Sequence, residues 1–189
     1  MFEDLTEGLS PQEDEILCCI LKKWADAGGG RFSPKVLNWL AYAIPQPAIE
    51  TIVFRLYDGK VQVLLLPRPP RDIIWEGMLN SPGQLLRRMD FLREDGNPIN
   101  GAFQRIQHEE LKCNFVGDPI FVGVLPQLSK RGPDVVQCYL AQIPDDSTVS
   151  EGSEWLDVGG LGENPRVIKS ELGPIKFALK QFKSTHGLS

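Results

Sequence analysis

Two rhythms of apolar residues divide the chain, and one gives way to the other near residue 45. Between Ser10 and Ala43 the apolar positions recur at helical spacing. Ile16, Leu17, Ile20, Leu21 and Trp24 form one stripe, and Val36, Leu37, Leu40 and Ala41 form a shorter one. Ser10-Pro11-Gln12-Glu13 has the composition of a helix start, with serine at the cap, proline in the first turn and glutamate placed to reach back. Gly28-Gly29-Gly30 stops the first helix, and Ser33-Pro34 starts the second. Two short helices cannot bury both stripes by themselves. They are expected to pack on the rest of the chain or across a homodimer, as a helical extension over residues 1–45. A helix-turn-helix DNA reader is the sharper alternative, and the acidity of the segment speaks against it.

From residue 48 the rhythm is that of strands. Residues 48–57 and 60–67 are rich in Ile, Val, Leu and Phe, and Asp58-Gly59 between them is a hairpin turn signal. The second run becomes wholly apolar, as a strand entering a core does, and Pro67, Pro69 and Pro70 end it. Residues 118–125 and 135–143 read as further strands and 155–158 as a brief one. A closing helix is expected over about 173–182, with Ile175, Ala178, Leu179 and Phe182 inward. This order predicts an α/β domain over residues 46–189, a mixed sheet covered by helices.

Composition narrows the function classes. At 189 residues, 42% hydrophobic and 24% charged, the chain is that of an ordinary globular protein. Its net charge of −5 argues against generic nucleic-acid binding. No apolar run approaches the roughly 20 residues of a membrane span, and the acidic opening reverses the order of a signal peptide. Cys18, Cys19, Cys113 and Cys138 form no CxxC pair, so four reduced thiols in a cytoplasmic protein are expected.

The candidate chemistry lies in Arg105-Ile106-Gln107-His108-Glu109-Glu110. On an α-helix, positions 106, 109 and 110 fall within an arc of about 100°. Carboxylates there would make a hard-oxygen site for magnesium or manganese. Arg105, four residues before Glu109, is placed to pair with it. His108 is expected to face solvent. Ile99, Phe103 and Ile106 also follow helical spacing, so Ile106 alternatively extends a core stripe.

This stretch resembles the Nudix box of the Nudix hydrolases, whose pattern is Gly, later Gly-Glu, then Arg-Glu-x-x-Glu-Glu. Gly83, Gly96-Asn97, Ala102, Arg105, Glu109 and Glu110 follow it in step. Leu64-Leu65-Leu66-Pro67-Arg68, Trp75 and Pro82-Gly83 upstream, and Glu154-Trp155-Leu156-Asp157-Val158 downstream, are similar to the family's surroundings of the box. The resemblance spans about residues 48–183. It implies an α/β/α sandwich and leaves the two short N-terminal helices, read from their periodicity, outside it. By the same resemblance Glu109 and Glu110 hold Mg2+ or Mn2+, Arg105 orients them, and Gly83 shapes the phosphate loop. The implied reaction is cleavage of a pyrophosphate bond in a small nucleoside diphosphate-linked substrate.

The chain also departs from the pattern. Asn97 and Ile106 stand where the family has glutamates, Gln84 and Lys112 where it has glycines, and residues 84–95 form an insertion. Within the insertion Arg87, Arg88 and Arg93 could clamp phosphates, as Arg68 and Arg71 could from the strand end; a solvated flap is the plainer reading. Trp75 is expected to plug rather than to stack on a base. Three functions therefore remain open: a hydrolase with a weakened metal site, an inactive member of the fold that binds a nucleotide-like ligand or a protein, and an unrelated α/β domain. Restoring the acid at position 106 is expected to raise metal affinity if that residue faces the site.

Overall fold

Ser10 caps α1 (Pro11–Asp26) as the sequence predicts: its side chain accepts the Glu13 N–H while Glu13 accepts the Ser10 N–H at 2.8 Å. Ser33 caps α2 (Pro34–Ala43) in the same way through the Val36 N–H. This computed structural model describes residues 10–27, 33–70 and 72–188, so the expected glycine stop at 28–30 and Arg71 lie outside the described residues. The expected inward face of α1 is not buried; of that of α2, Leu40 is half-buried, and the side chains of Leu37 and Ala41 lie outside the described residues. No residue of α1 is buried, and Val36 of α2 is exposed.

A hairpin follows. β1 (Gln46–Tyr57) and β2 (Lys60–Pro67) pair antiparallel, with Tyr57 opposite Lys60. Asp58 and Gly59 both take positive φ, the turn geometry that an Asp-Gly pair favours. Two short strands, β3 (Leu79–Asn80) and β4 (Gly83–Leu85), precede α3 (Pro98–Arg105). β5 (Ile120–Ser129) and β6 (Gly132–Ala141) form a second hairpin, β7 (Glu154–Asp157) is brief, and α4 (Leu172–Thr185) closes the chain.

The sheet runs β3-β2-β1-β6-β5, with β4 on β1 and β7 on β2. β1 and β6 are parallel and the other pairs antiparallel, so the sheet is mixed. Helices cover both sides, which is why the central strands are apolar on both faces. Ile52, Phe54, Val63, Leu65 and Leu140 pack with Ile175, Ala178 and Phe182 of α4. Ile49, Val53, Leu64 and Ala141 pack with Ala102 of α3 and with Ile106 and Leu111 beyond it.

The second hairpin sits differently from its expected bounds. β5 continues through Pro126 to Ser129, where the sequence reading stops at 125. It lies at the sheet's edge, and there a missing N–H costs little. β3 and β4 are too short to show a period in the sequence.

Candidate functional site

The helix bearing the acids is regular only as far as Arg105. Asn97 caps α3 with its side-chain oxygen on the Ile99 N–H, so the residue in a glutamate's place is spent on the helix start. Beyond Arg105, Ile106–Leu111 form a π-helical turn that ends on Lys112 in the left-handed conformation, φ 62°. A glycine at position 112, as in the resembled pattern, would adopt that conformation without strain.

The wider turn separates residues that an α-helix would put on one face. Ile106 is fully buried against Ile49, Val53 and Leu64, so the core-stripe reading holds and the shared metal face does not. Glu110 turns to β4, where its carboxylate accepts the Gly83 N–H at 2.8 Å and the Gln84 side-chain amide at 2.6 Å. Glu109 is exposed, with the Arg87 guanidinium 3.7 Å away. His108 is exposed as expected.

Arg105 does not pair with Glu109. Its guanidinium forms a two-pronged pair with buried Asp90 and donates to the Leu85 carbonyl at 2.9 Å. Asp90 lies in the 3-10 helix Arg88–Leu92 of the insertion and also accepts the Arg87 N–H at 2.7 Å. A bidentate pair in a nearly closed setting outcompetes a same-helix partner that water screens. Gly101 permits this packing, because a Cβ there would fall 2.5 Å from an Asp90 oxygen. Asp90 was missed because a mixed-charge insertion carries no period that would mark one acid as buried.

Around Glu110 the structure gathers two further acids that the sequence reading passed over. Glu50 of β1 and Glu171, just before α4, are both buried. Gly83 runs so close to β1 that a Cβ would lie 3.0 Å from both the Glu50 side chain and the Ile49 carbonyl. The missing side chain thus permits a close strand contact. Burial, and then the Glu171 and Asp134 carboxylates, hold Glu50 well above the usual carboxylate range. Burial likewise raises Glu171, whose carboxylate accepts the Ser81 N–H at 2.9 Å. Burial pushes Glu110 up to about 7, against the lowering effects of the Gly83 N–H, Arg68 and Gln84. One oxygen of Glu50 is buried without a partner. A signal existed for Glu50: it shares a strand face with Ile52 and Phe54, where an acid interrupts an apolar pattern.

The arginines divide. Arg68 acts electrostatically on Glu50, Glu110 and Glu171, and is anchored on Asp72 at 2.6 Å. Arg87 reaches Gln84 at 3.0 Å and faces Glu109, so it joins the site. Arg88 instead donates to the Ala25 carbonyl of α1 at 2.6 Å, and Arg93 pairs with Asp95 and Gln104. Trp75 is half-buried beneath the Arg131 guanidinium, 4.9 Å from the ring centre, the plug that the sequence predicts.

The donor set does not fit a divalent cation. Among the described residues no three His, Cys, Asp or Glu side chains gather closely enough to hold one. Ile106 is in the core, Asn97 caps a helix, and both oxygens of Glu110 are taken by protein donors. Burial disfavours the charged forms of Glu50 and Glu171, the forms that a hard cation takes as ligands. Nor is any helix among the described residues long and apolar enough to cross a membrane.

No protein-family model and no curated protein sequence matches the chain. Solved structures do resemble it. The Nudix domain of Shewanella oneidensis NrtR complexed with ADP ribose superposes with a TM-score of 0.57 at 16% identity, over 85% of this chain and 97% of that one. A mutT/nudix family protein from Listeria innocua gives 0.55 at 16%, over 77% and 99%. The C. elegans Ap4A hydrolase gives 0.51 at 19%, over 75% and 98%. The chain has the Nudix fold, with its mixed sheet between helices.

Proposed function

We propose that this chain is a Nudix-fold domain that binds a nucleoside diphosphate-type ligand without metal-dependent hydrolysis. One observation carries the reading: the helix that should present a triad of acids sends Ile106 into the core, ties Glu110 to β4 and leaves Glu109 beside an arginine. Burial disfavours the charged forms of Glu50 and Glu171, so these acids oppose an anionic ligand less than exposed carboxylates would. Arg68 and Arg87 supply the positive charge that a diphosphate requires. The likeness to an ADP-ribose-bound domain favours a ligand of that kind.

The rival reading is a hydrolase that cleaves the pyrophosphate bond with magnesium or manganese held by Glu109 and Glu110. Titration calorimetry with ADP-ribose in EDTA, together with product analysis after incubation with either metal and a panel of nucleotide sugars, dinucleotides and triphosphates, separates the two. Binding in EDTA that weakens in Arg87→Ala, without turnover, is the expected result. Turnover above a Glu109→Gln/Glu110→Gln control would establish the hydrolase instead.

A further inference from the structure

Arg55 carries a charge that the protein does not match. It follows Val53 by two residues on β1, so both lie on the sheet face that α3 covers. Val53 is buried in the core there, whereas Arg55 stands past the core's edge and is half-buried. Its guanidinium carbon lies over two rings, 4.3 Å from the centre of Trp155 and 4.9 Å from that of Tyr57. Its Nε donates at 2.9 Å to the side-chain oxygen of Gln62, its neighbour across the β1–β2 register.

These contacts leave the two terminal nitrogens of Arg55 without an acceptor among the described residues, and no carboxylate there is within ion-pair reach. Other arginines are matched by acids, as Arg68 and Arg131 are by Asp72 and Arg105 by Asp90. The acid beyond Gln62 in the register, Asp157, lies 3.6 Å from Lys60 instead. Two rings and an amide therefore fix the guanidinium, while the end of the group that forks onto an oxyanion stays available.

We propose that Arg55 is an oxyanion-binding site that takes a carboxylate or phosphate group through its two terminal nitrogens, with Tyr57 and Trp155 holding the guanidinium in place. The site is separate from the one around Glu110. Arg55 lies about 16 Å along β1 from Glu50, on the opposite face of the strand. A holding role for the rings favours binding, because less side-chain freedom is lost when the anion arrives.

The test uses the full chain and the indole N–H NMR signal of Trp155, assigned by its loss in Trp155→Phe. Sodium phosphate and sodium acetate are titrated separately, with sodium chloride holding the ionic strength constant. A saturable shift is expected with at least one of them, at a Kd of about 1–10 mM, and the tighter of the two names the group preferred. Arg55→Lys keeps the charge and loses the fork, and should weaken binding at least about 10-fold. Tyr57→Leu replaces a ring that is 60% exposed, so the fold should persist while binding weakens about 3-fold. Arg87→Ala alters only the other site and should leave the response intact. No saturable shift with either anion, affinity undiminished in Arg55→Lys, or a response lost in Arg87→Ala would each overturn the proposal.

Discussion

The substitution Ile106→Glu puts an acid where the resembled pattern carries one, and two views of the helix forecast opposite results. If residue 106 faced the metal site, the variant would gain magnesium affinity at little cost. In the structure Ile106 is fully buried among Ile49, Val53, Leu64, Ala102 and Leu111. Removing its side chain from the core forfeits about 1.5–3 kcal/mol of burial, and an unpaired carboxyl in its place costs about 1–3 kcal/mol more even when neutral. The loss is thus about 3–6 kcal/mol at low pH, against a total stability of about 5–15 kcal/mol. It grows as the pH rises through 7, because a carboxyl kept neutral above its ordinary pKa costs about 1.4 kcal/mol for each further pH unit. Urea unfolding at pH 5 and pH 7, followed by fluorescence of the four tryptophans, measures both effects, and magnesium titration of the folded variant measures the rival one. A variant within about 1 kcal/mol of wild type that binds magnesium more tightly would refute the placement of Ile106.

Three further outcomes follow from the site. Asp90→Ala strands the Arg105 guanidinium, whose side chain is 14% exposed, and should cost about 3–5 kcal/mol in urea unfolding; Glu109→Ala, at the exposed rim, should cost less than about 1 kcal/mol. Glu110 has a folded pKa of about 7 against an ordinary 4.5. Below pH 4.5 it is neutral in both states and contributes no pH dependence. Stability is lost as the pH climbs to about 7 and stays lost above it, by up to about 3 kcal/mol. Glu110→Gln should remove its own share of that slope between pH 4.5 and 7 and leave the share of Glu50 and Glu171, which are raised as well; an unchanged slope would show that Glu110 carries none of it. Lys112→Gly relieves a left-handed backbone at φ 62° and gives up the Lys112 bond to the His108 carbonyl. A net gain of about 0.5–1 kcal/mol is expected in thermal unfolding; a loss would mean that the lysine's bond outweighs the strain.

What the sequence determined by itself was local or periodic. The Ser10 cap, the Asp58-Gly59 turn, the apolar strand runs and the Ile175, Ala178 and Phe182 face of α4 needed only neighbours within a few residues, and they stand as read. Likeness in the order of its motifs marked the fold even where single residues depart from the pattern. The site was settled elsewhere. Whether position 106 meets a metal or the core depended on a π turn that has no residue code, and whether Arg105 meets Glu109 or Asp90 depended on where an insertion folds. The buried acids Glu50 and Glu171 lie far apart in the chain, and the burial they share is what raises their pKa values. Charge state is a property of the surroundings a side chain acquires. Only the tertiary structure could turn six residues that look like a metal helix into one that holds its acids for the protein itself.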